Sequence, residues 1–380
     1  MTQSSQFMSI ARSIEEWVAD EAVPGASITI RHRGETVAEH VAGEARPGEP
    51  ITPGTLFALA SVTKPIAAST VMSCVEDGLF ALDDPVVRLV PEFEGNVDET
   101  VEWYDSALEA LRPDITVRQL LSHVSGLPED LPASYLNFRT LPDLETWTDT
   151  MLRMPLRAAP GSTLRYSNIG LAVLSRMVEH ATRSDFWDET QQRILDPLGI
   201  DEIVARPQGA IVEEIADVVD GARHGSASAA YDSEWWRMTA IPWGGIYGSP
   251  RQIARFAEMF LPGRSDPSVL TEDACLEMRT DQAGGVPGGV ESLRVRWEHA
   301  FWGLGWEVRG NKRKHWTGDL ASPETFCHFG AAGTLVWADP VRDLVVAVFA
   351  NRTVAHRWPF APPRWTRLNN AIIEAADAIR

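Results

Sequence analysis

Strand-forming sequence lies at the two ends of the chain and helix-forming sequence between them, which leaves few folds open. Near the start, Ala26-Ser27-Ile28-Thr29-Ile30-Arg31 and Thr36-Val37-Ala38-Glu39-His40-Val41-Ala42 alternate apolar and polar residues around a turn at Arg33-Gly34. Period-two alternation about a Gly turn predicts a β-hairpin. Near the end, 304–308, 325–329, 333–337 and 344–349 read as strands separated by turns at Gly310, Gly330 and Asp339-Pro340. An amphipathic pattern over 1–22 (Met8, Ile10, Ala11, Ile14, Trp17, Val18) precedes the first strand, and another over 364–380 follows the last. Between them, 116–121 and 168–181 carry helical spacing, and 250–261 predicts a further helix after the glycines of Trp243-Gly244-Gly245. The expected fold is α+β, an antiparallel β-sheet flanked by N- and C-terminal helices with a large inserted helical lobe.

The 380 residues exceed the usual size of one domain. The pattern assigns 1–82 and 241–380 to the sheet domain and 83–240 to the mainly helical lobe. A formal net charge of -19 argues against nucleic-acid binding and against docking on anionic membrane, since both need a basic patch and none is seen in the sequence. Cys74, Cys275 and Cys327 are odd in number and far apart, which predicts free thiols in a reducing compartment. The nine histidines are dispersed, with no metal-ligand spacing. The start lacks the basic flank and unbroken apolar run of a signal peptide, and no stretch is long enough to span a bilayer, so a cytoplasmic chain is expected.

The chemistry centres on Phe57-Ala58-Leu59-Ala60-Ser61-Val62-Thr63-Lys64-Pro65. A turn at Pro53-Gly54 precedes it and an Ala-rich apolar run follows, which predicts Ser61 in the first turn of a buried helix ending at Gly78-Leu79. One helical turn brings Lys64 back to the face of Ser61, where an amine can take or relay the hydroxyl proton. The helix N-terminus offers unpaired N–H groups to an anion forming there. The surrounding residues are apolar on nearly all sides, and the only other lysines are Lys312 and Lys314. A lone Lys in a buried helix calls for a chemical reason.

Two further stretches can supply partners. Arg165-Tyr166-Ser167-Asn168 stands just before the helix at 168, so that the Tyr166 hydroxyl can exchange a proton and the Asn168 amide can hold Lys64. His328-Phe329-Gly330 ends a late strand, where a backbone N–H can join that of Ser61 in an oxyanion hole.

Ser61-Val62-Thr63-Lys64, Tyr166-Ser167-Asn168 and His328-Phe329-Gly330, in that order, resemble the three motifs of the serine β-lactamase and penicillin-binding protein superfamily. The likeness is to its class C β-lactamase-like branch, which includes family VIII carboxylesterases and D-amino-acid-specific peptidases. Leu120-Leu121-Ser122-His123-Val124-Ser125-Gly126-Leu127-Pro128, Trp243-Gly244-Gly245-Ile246-Tyr247 and Asp339-Pro340 leading to Ala350-Asn351-Arg352 also match this branch. The resemblance implies a β-lactamase/transpeptidase-like fold, a site at the interface of the two domains, no cofactor or metal, and a covalent acyl-enzyme. Carried over, it makes Ser61 the nucleophile, Lys64 its activating amine, Tyr166 the base or proton shuttle and Asn168 an orienting amide. The N–H groups of Ser61 and Ala331 then form the oxyanion hole beside His328 and Gly330. Both Lys64 and Tyr166 remain candidates for the base.

One departure shapes the substrate. His328 stands where many β-lactamases carry Lys, a fixed cation suited to a substrate carboxylate, whereas His is mostly neutral at pH 7. That favours a small, neutral ester as the substrate, with β-lactamase, D-amino-acid peptidase or acyltransferase action on an amide as the alternative. A non-catalytic sensor acylated once at Ser61 is a third reading, against which the intact set of Ser61, Lys64 and Tyr166 argues. Trp103-Tyr104, Trp235-Trp236, Trp243, Trp302, Trp306 and Trp316 fall in segments that can rim the site, where aromatic walls suit an apolar group, although the usual burial of tryptophan favours most of them as core or lobe-packing residues.

Overall fold

The computed structural model describes residues 3–135, 142–219, 231–354 and 361–379. Arg380, the expected last residue of the C-terminal helix, lies outside them. Gly25–His32 and Glu35–Arg46 form the N-terminal hairpin, with Gly34 in the turn at a φ of 86° that favours glycine. The strand Leu344–Ala350 pairs antiparallel with Gly25–His32, Ala26 opposite Ala350 and Ile28 opposite Val348. The two ends of the sequence therefore meet in the middle of one sheet. Its seven strands run Glu307–Val308, Phe326–Gly330, Thr334–Asp339, Leu344–Ala350, Gly25–His32, Glu35–Arg46, Glu49–Pro50.

Every residue of Leu344–Ala350 is buried. Successive side chains point to opposite faces, so both faces of the central strand are covered. Gln3–Ala11 and Ile14–Ala19 pack on the hairpin, Ala361–Asp377 packs on Gln3–Ala11, and Pro250–Glu258 packs on the central strands. The helix at Pro250 starts with a Ser249 cap, whose hydroxyl accepts from the Gln252 N–H at 3.3 Å. It ends at Glu258 rather than 261 because Met259, Phe260 and Leu261 close tighter turns onto the carbonyls three residues back.

The chain divides into two compact units, one of Met1–Thr63, Leu198–Asp266 and Val308–Arg380, the other of Lys64–Pro197 and Pro267–Glu307. The sheet and its helices belong to the first. The second holds the helices Thr63–Glu76 (from Lys64 onward), Val117–Leu121, Leu144–Leu152, Asn168–Thr182 and Glu272–Met278. It also holds a small sheet in which Leu164–Arg165 runs parallel to Gly288–Val290.

Several buried polar groups inside the second unit are paired, as burial favours. Ser69 donates to the Pro65 carbonyl at 2.9 Å, and the Thr70 and Thr190 hydroxyls lie 2.9 Å apart. The Arg112 guanidinium is 1% exposed; it donates to Glu109 at 2.6 Å and to the Met154 carbonyl at 2.5 Å, and stacks 4.6 Å over the Phe93 ring. Val117–Leu121 begins with the full Thr116/Gln119 capping box. Of the strand expected over 304–308 only Glu307–Val308 forms. Gly305 has a φ of 84° and Gly303 donates to the Trp306 carbonyl, so the residues before it turn instead.

Candidate active site

Ser61 lies on a 3-10 turn, Ala60–Val62, that runs directly into the helix Thr63–Glu76, one step ahead of the expected α-helical turn. The segment entering it is clamped along its length. Phe57 and Ala58 pair with Gly248 and Tyr247, the Leu59 N–H donates to Ile246, and the Leu59 carbonyl accepts from the Thr334 hydroxyl at 2.9 Å. Ala60 is held at a φ of 46°, in the left-handed region that a residue with a Cβ seldom adopts. Backbone strain therefore sits immediately before the candidate nucleophile.

The strand Phe326–Gly330 passes beside this turn. A Cβ on Gly330 would lie 2.2 Å from the Thr334 hydroxyl and 2.3 Å from the Leu59 carbonyl, so only glycine allows the approach. Gly330→Ala is expected to push the Leu59–Ser61 turn aside and cost about 1–3 kcal/mol of stability. Urea unfolding, with ester turnover measured alongside, checks this. His328 is buried opposite Val336, and its Nδ1 lies 2.9 Å from the Phe329 carbonyl. A carbonyl only accepts, so Nδ1 carries the proton. Ala331 follows in the turn closed by Gly333 donating to Gly330 at 3.0 Å.

Lys64, Tyr166 and Asn168 all belong to the second unit. Lys64 is fully buried, and its amine lies 4.8 Å from the centroid of the Tyr166 ring. Desolvation lowers its pKa to about 7, against the opposing pull of the Asp130 and Glu129 carboxylates. Tyr166 sits between the strand Leu164–Arg165 and Ser167, which caps the helix Asn168–Thr182 by accepting from the Gly170 N–H at 3.1 Å. Its ring packs against His123 at 4.7 Å and Trp302 at 5.6 Å between centroids. His123 has a φ of 58°, and its Nδ1 accepts from the Ser167 N–H at 3.1 Å, so the same imidazole steadies the Tyr166 ring and the start of the helix.

Asn168 donates through its backbone to the Glu129 carbonyl at 2.8 Å and through Nδ2 to Asp130 Oδ2 at 2.9 Å. Its Oδ1 is buried and accepts no hydrogen bond among the described residues. Burial raises the pKa of both acids, offset by Ser292 at Glu129 and by Asn168 and the Leu131 N–H at Asp130. A cleft of about 420 Å³ opens beside Tyr166, lined by Glu129, Arg165, Glu291, Arg294 and Arg296 among others.

His123, Glu129 and Asp130 had no assigned role in the sequence. Two adjacent acids between Leu127-Pro128 and Leu131-Pro132 are the signal that could have found the last two. Trp243, Trp302, Trp306 and Trp316 are buried, so these four are packing residues rather than an open aromatic rim. Trp302 serves the site from behind, against Tyr166 and His123. Among the described residues no helix is long and apolar enough to cross a membrane.

A profile of the family described as Beta-lactamase matches residues 10–367. The chain belongs to this family. Esterase EstB of Burkholderia gladioli is 31% identical over 318 residues, covering 76% of each chain. The structure of EstCE1, titled a hydrolase with promiscuous acyltransferase activity, superposes with a TM-score of 0.77 at 19% identity, covering 97% of this chain and 99% of that one, and shares the fold. A structure of SurE with D-Leu has a TM-score of 0.69 at 29% identity, covering 98% of this chain and 76% of that one. Family membership and these relatives make the chain a serine hydrolase of the β-lactamase fold.

Proposed function

We propose that the chain is an esterase that works through an acyl-Ser61 intermediate on small esters with uncharged, apolar acyl groups. The observation that carries this reading is the Lys64 amine, buried, held at about 7 by desolvation and seated on the Tyr166 ring. An amine neutral near pH 7 is a competent general base, and helical backbone runs unbroken from Ser61 to Lys64. The Ser61 oxygen attacks the ester carbonyl carbon while its proton passes to Lys64. The carbonyl electron pair moves onto oxygen, where the Ser61 and Ala331 N–H groups receive it. As the carbonyl re-forms and the ester C–O bond breaks, Tyr166 relays the proton from Lys64 to the departing alkoxide, which leaves as the alcohol. Water then attacks acyl-Ser61 by the same proton route, releasing the acid and restoring the Ser61 hydroxyl. Asn168 orients the amine or the substrate carbonyl through its buried Oδ1.

His328 supports an uncharged acyl group, since a histidine, unlike a lysine, gives a substrate carboxylate no fixed cation. Relatedness to EstB, at 31% identity, supports the ester over the amide. A second reading, action on a D-amino-acid peptide, a β-lactam or an acyl acceptor, is favoured by the likeness to SurE with D-Leu at 29% identity. Turnover of p-nitrophenyl esters of graded length, a chromogenic cephalosporin and D-alanyl p-nitroanilide separates the two. The ester reading expects acetate and butyrate esters to lead by at least about a hundredfold in kcat/KM, a gap of roughly 2.7 kcal/mol. Faster lactam or anilide cleavage would replace it with the second.

A further inference from the structure

We infer that Asp130 is a positioning residue that sets the working charge state of Lys64 and aims the amide of Asn168. The inference rests on Lys64 acting as the base. Asp130 stands in the loop after Val117–Leu121, and its Oδ2 accepts from Asn168 Nδ2 at 2.9 Å while its Oδ1 accepts from the Leu131 N–H at 2.8 Å. A carboxylate that holds the amide nitrogen fixes which way the amide faces: one N–H is taken by Asp130, and the second N–H and the buried Oδ1 are left to face elsewhere. The Glu129 carbonyl takes the Asn168 backbone N–H, and the Glu129 carboxylate takes both the N–H and the hydroxyl of Ser292, at 2.9 and 2.5 Å. The two acids thus grip the start of the Asn168–Thr182 helix and the 292 turn, and their charges remain near Lys64.

Among the groups that act on Lys64 are Asp130 and Glu129 from this loop and the Tyr166 ring from the segment before Asn168, with His123 behind Tyr166. Burial alone would drive the amine toward permanent neutrality. A nearby carboxylate counters it and keeps the amine able both to accept and to return a proton close to neutral pH. Both acids are hydrogen-bonded at both oxygens, but Asp130 alone of the two also holds the Asn168 side-chain amide, which ties its charge to the orienting residue.

The test uses protein labelled with 13Cε-lysine, which contains three lysines, with Lys64 assigned from the resonance missing in Lys64→Met. In Asp130→Asn the Lys64 titration midpoint should fall by about one pH unit, the size expected on removing one nearby opposite charge. The acid limb of the ester pH–rate profile should move down with it. The plateau rate should stay within about threefold, because the new amide oxygen can still accept from Asn168. Asp130→Ala removes charge and acceptor together and should show the same midpoint shift with a plateau roughly tenfold lower. A Lys64 midpoint unchanged in both folded variants would overturn the inference, as would a lost plateau with no shift, which marks a purely structural residue. The NMR midpoint does not depend on ester turnover, so an inactive wild type with a shifted midpoint would overturn the esterase reading alone.

Discussion

Ser61→Ala is expected to lower ester kcat/KM by about four to six orders of magnitude, the range found when a catalytic nucleophile is removed. Alanine keeps the backbone preference of the turn Ala60–Val62 and removes a single oxygen, so the thermal midpoint should stay within about 4 °C of wild type. Two measurements check it together. Initial rates on p-nitrophenyl butyrate give the loss, and intact-protein mass after rapid quenching should show an acyl adduct on wild type and none on the variant. Undiminished hydrolysis by Ser61→Ala would move the nucleophile elsewhere. An adduct on wild type that never clears would instead mark a sensor.

Lys64→Met should abolish turnover and stabilise the fold, a combination that few substitutions in a buried helix produce. The native amine titrates at about 7 because burial disfavours its charge, whereas the unfolded chain titrates it near its ordinary 10.5. Between those values the unfolded state binds the proton and the folded state does not. Wild-type stability should therefore rise with pH across that window, by about 1.4 kcal/mol per unit from this group. The penalty is fully present below about 7, where the buried amine must be charged, and is gone above the unfolded value. Methionine, of similar length and without charge, removes the penalty, so the pH slope should flatten in urea titrations of the variant. Activity in wild type should fall about tenfold per unit as pH drops below 7, because protonated Lys64 cannot act as a base. A variant less stable than wild type at pH 7 would mean that the amine is held by more than it loses to burial.

What was legible in the sequence was what periodicity and turn chemistry encode. The hairpin turn at Gly34, the Thr116 cap and the Ser167-Asn168 helix start are local, and each forms as the residues predict. Less visible were features set by contacts between distant segments. The strand expected at 304–306 is lost to a turn through Gly303 and Gly305, where a Cβ on Gly305 would lie 2.3 Å from that of Ala68. Tryptophan content left an aromatic rim and core packing both open, with packing favoured, and Trp302 and Trp306 are fully buried. At the candidate site, Ser61, Lys64 and Tyr166 stood out because a Lys amid apolar residues is chemically odd. Asp130 did not, because its meaning lies in an amide 38 positions away, which no local pattern reveals.

The scarcity and burial of lysine bear on handling the protein. Of its three lysine side chains, Lys64 and Lys312 are buried and Lys314 alone is exposed, in a tight turn at a φ of 55°. Amine-reactive dyes, crosslinkers and activated resins thus meet one accessible lysine side chain, which makes coupling through that group site-directed without engineering.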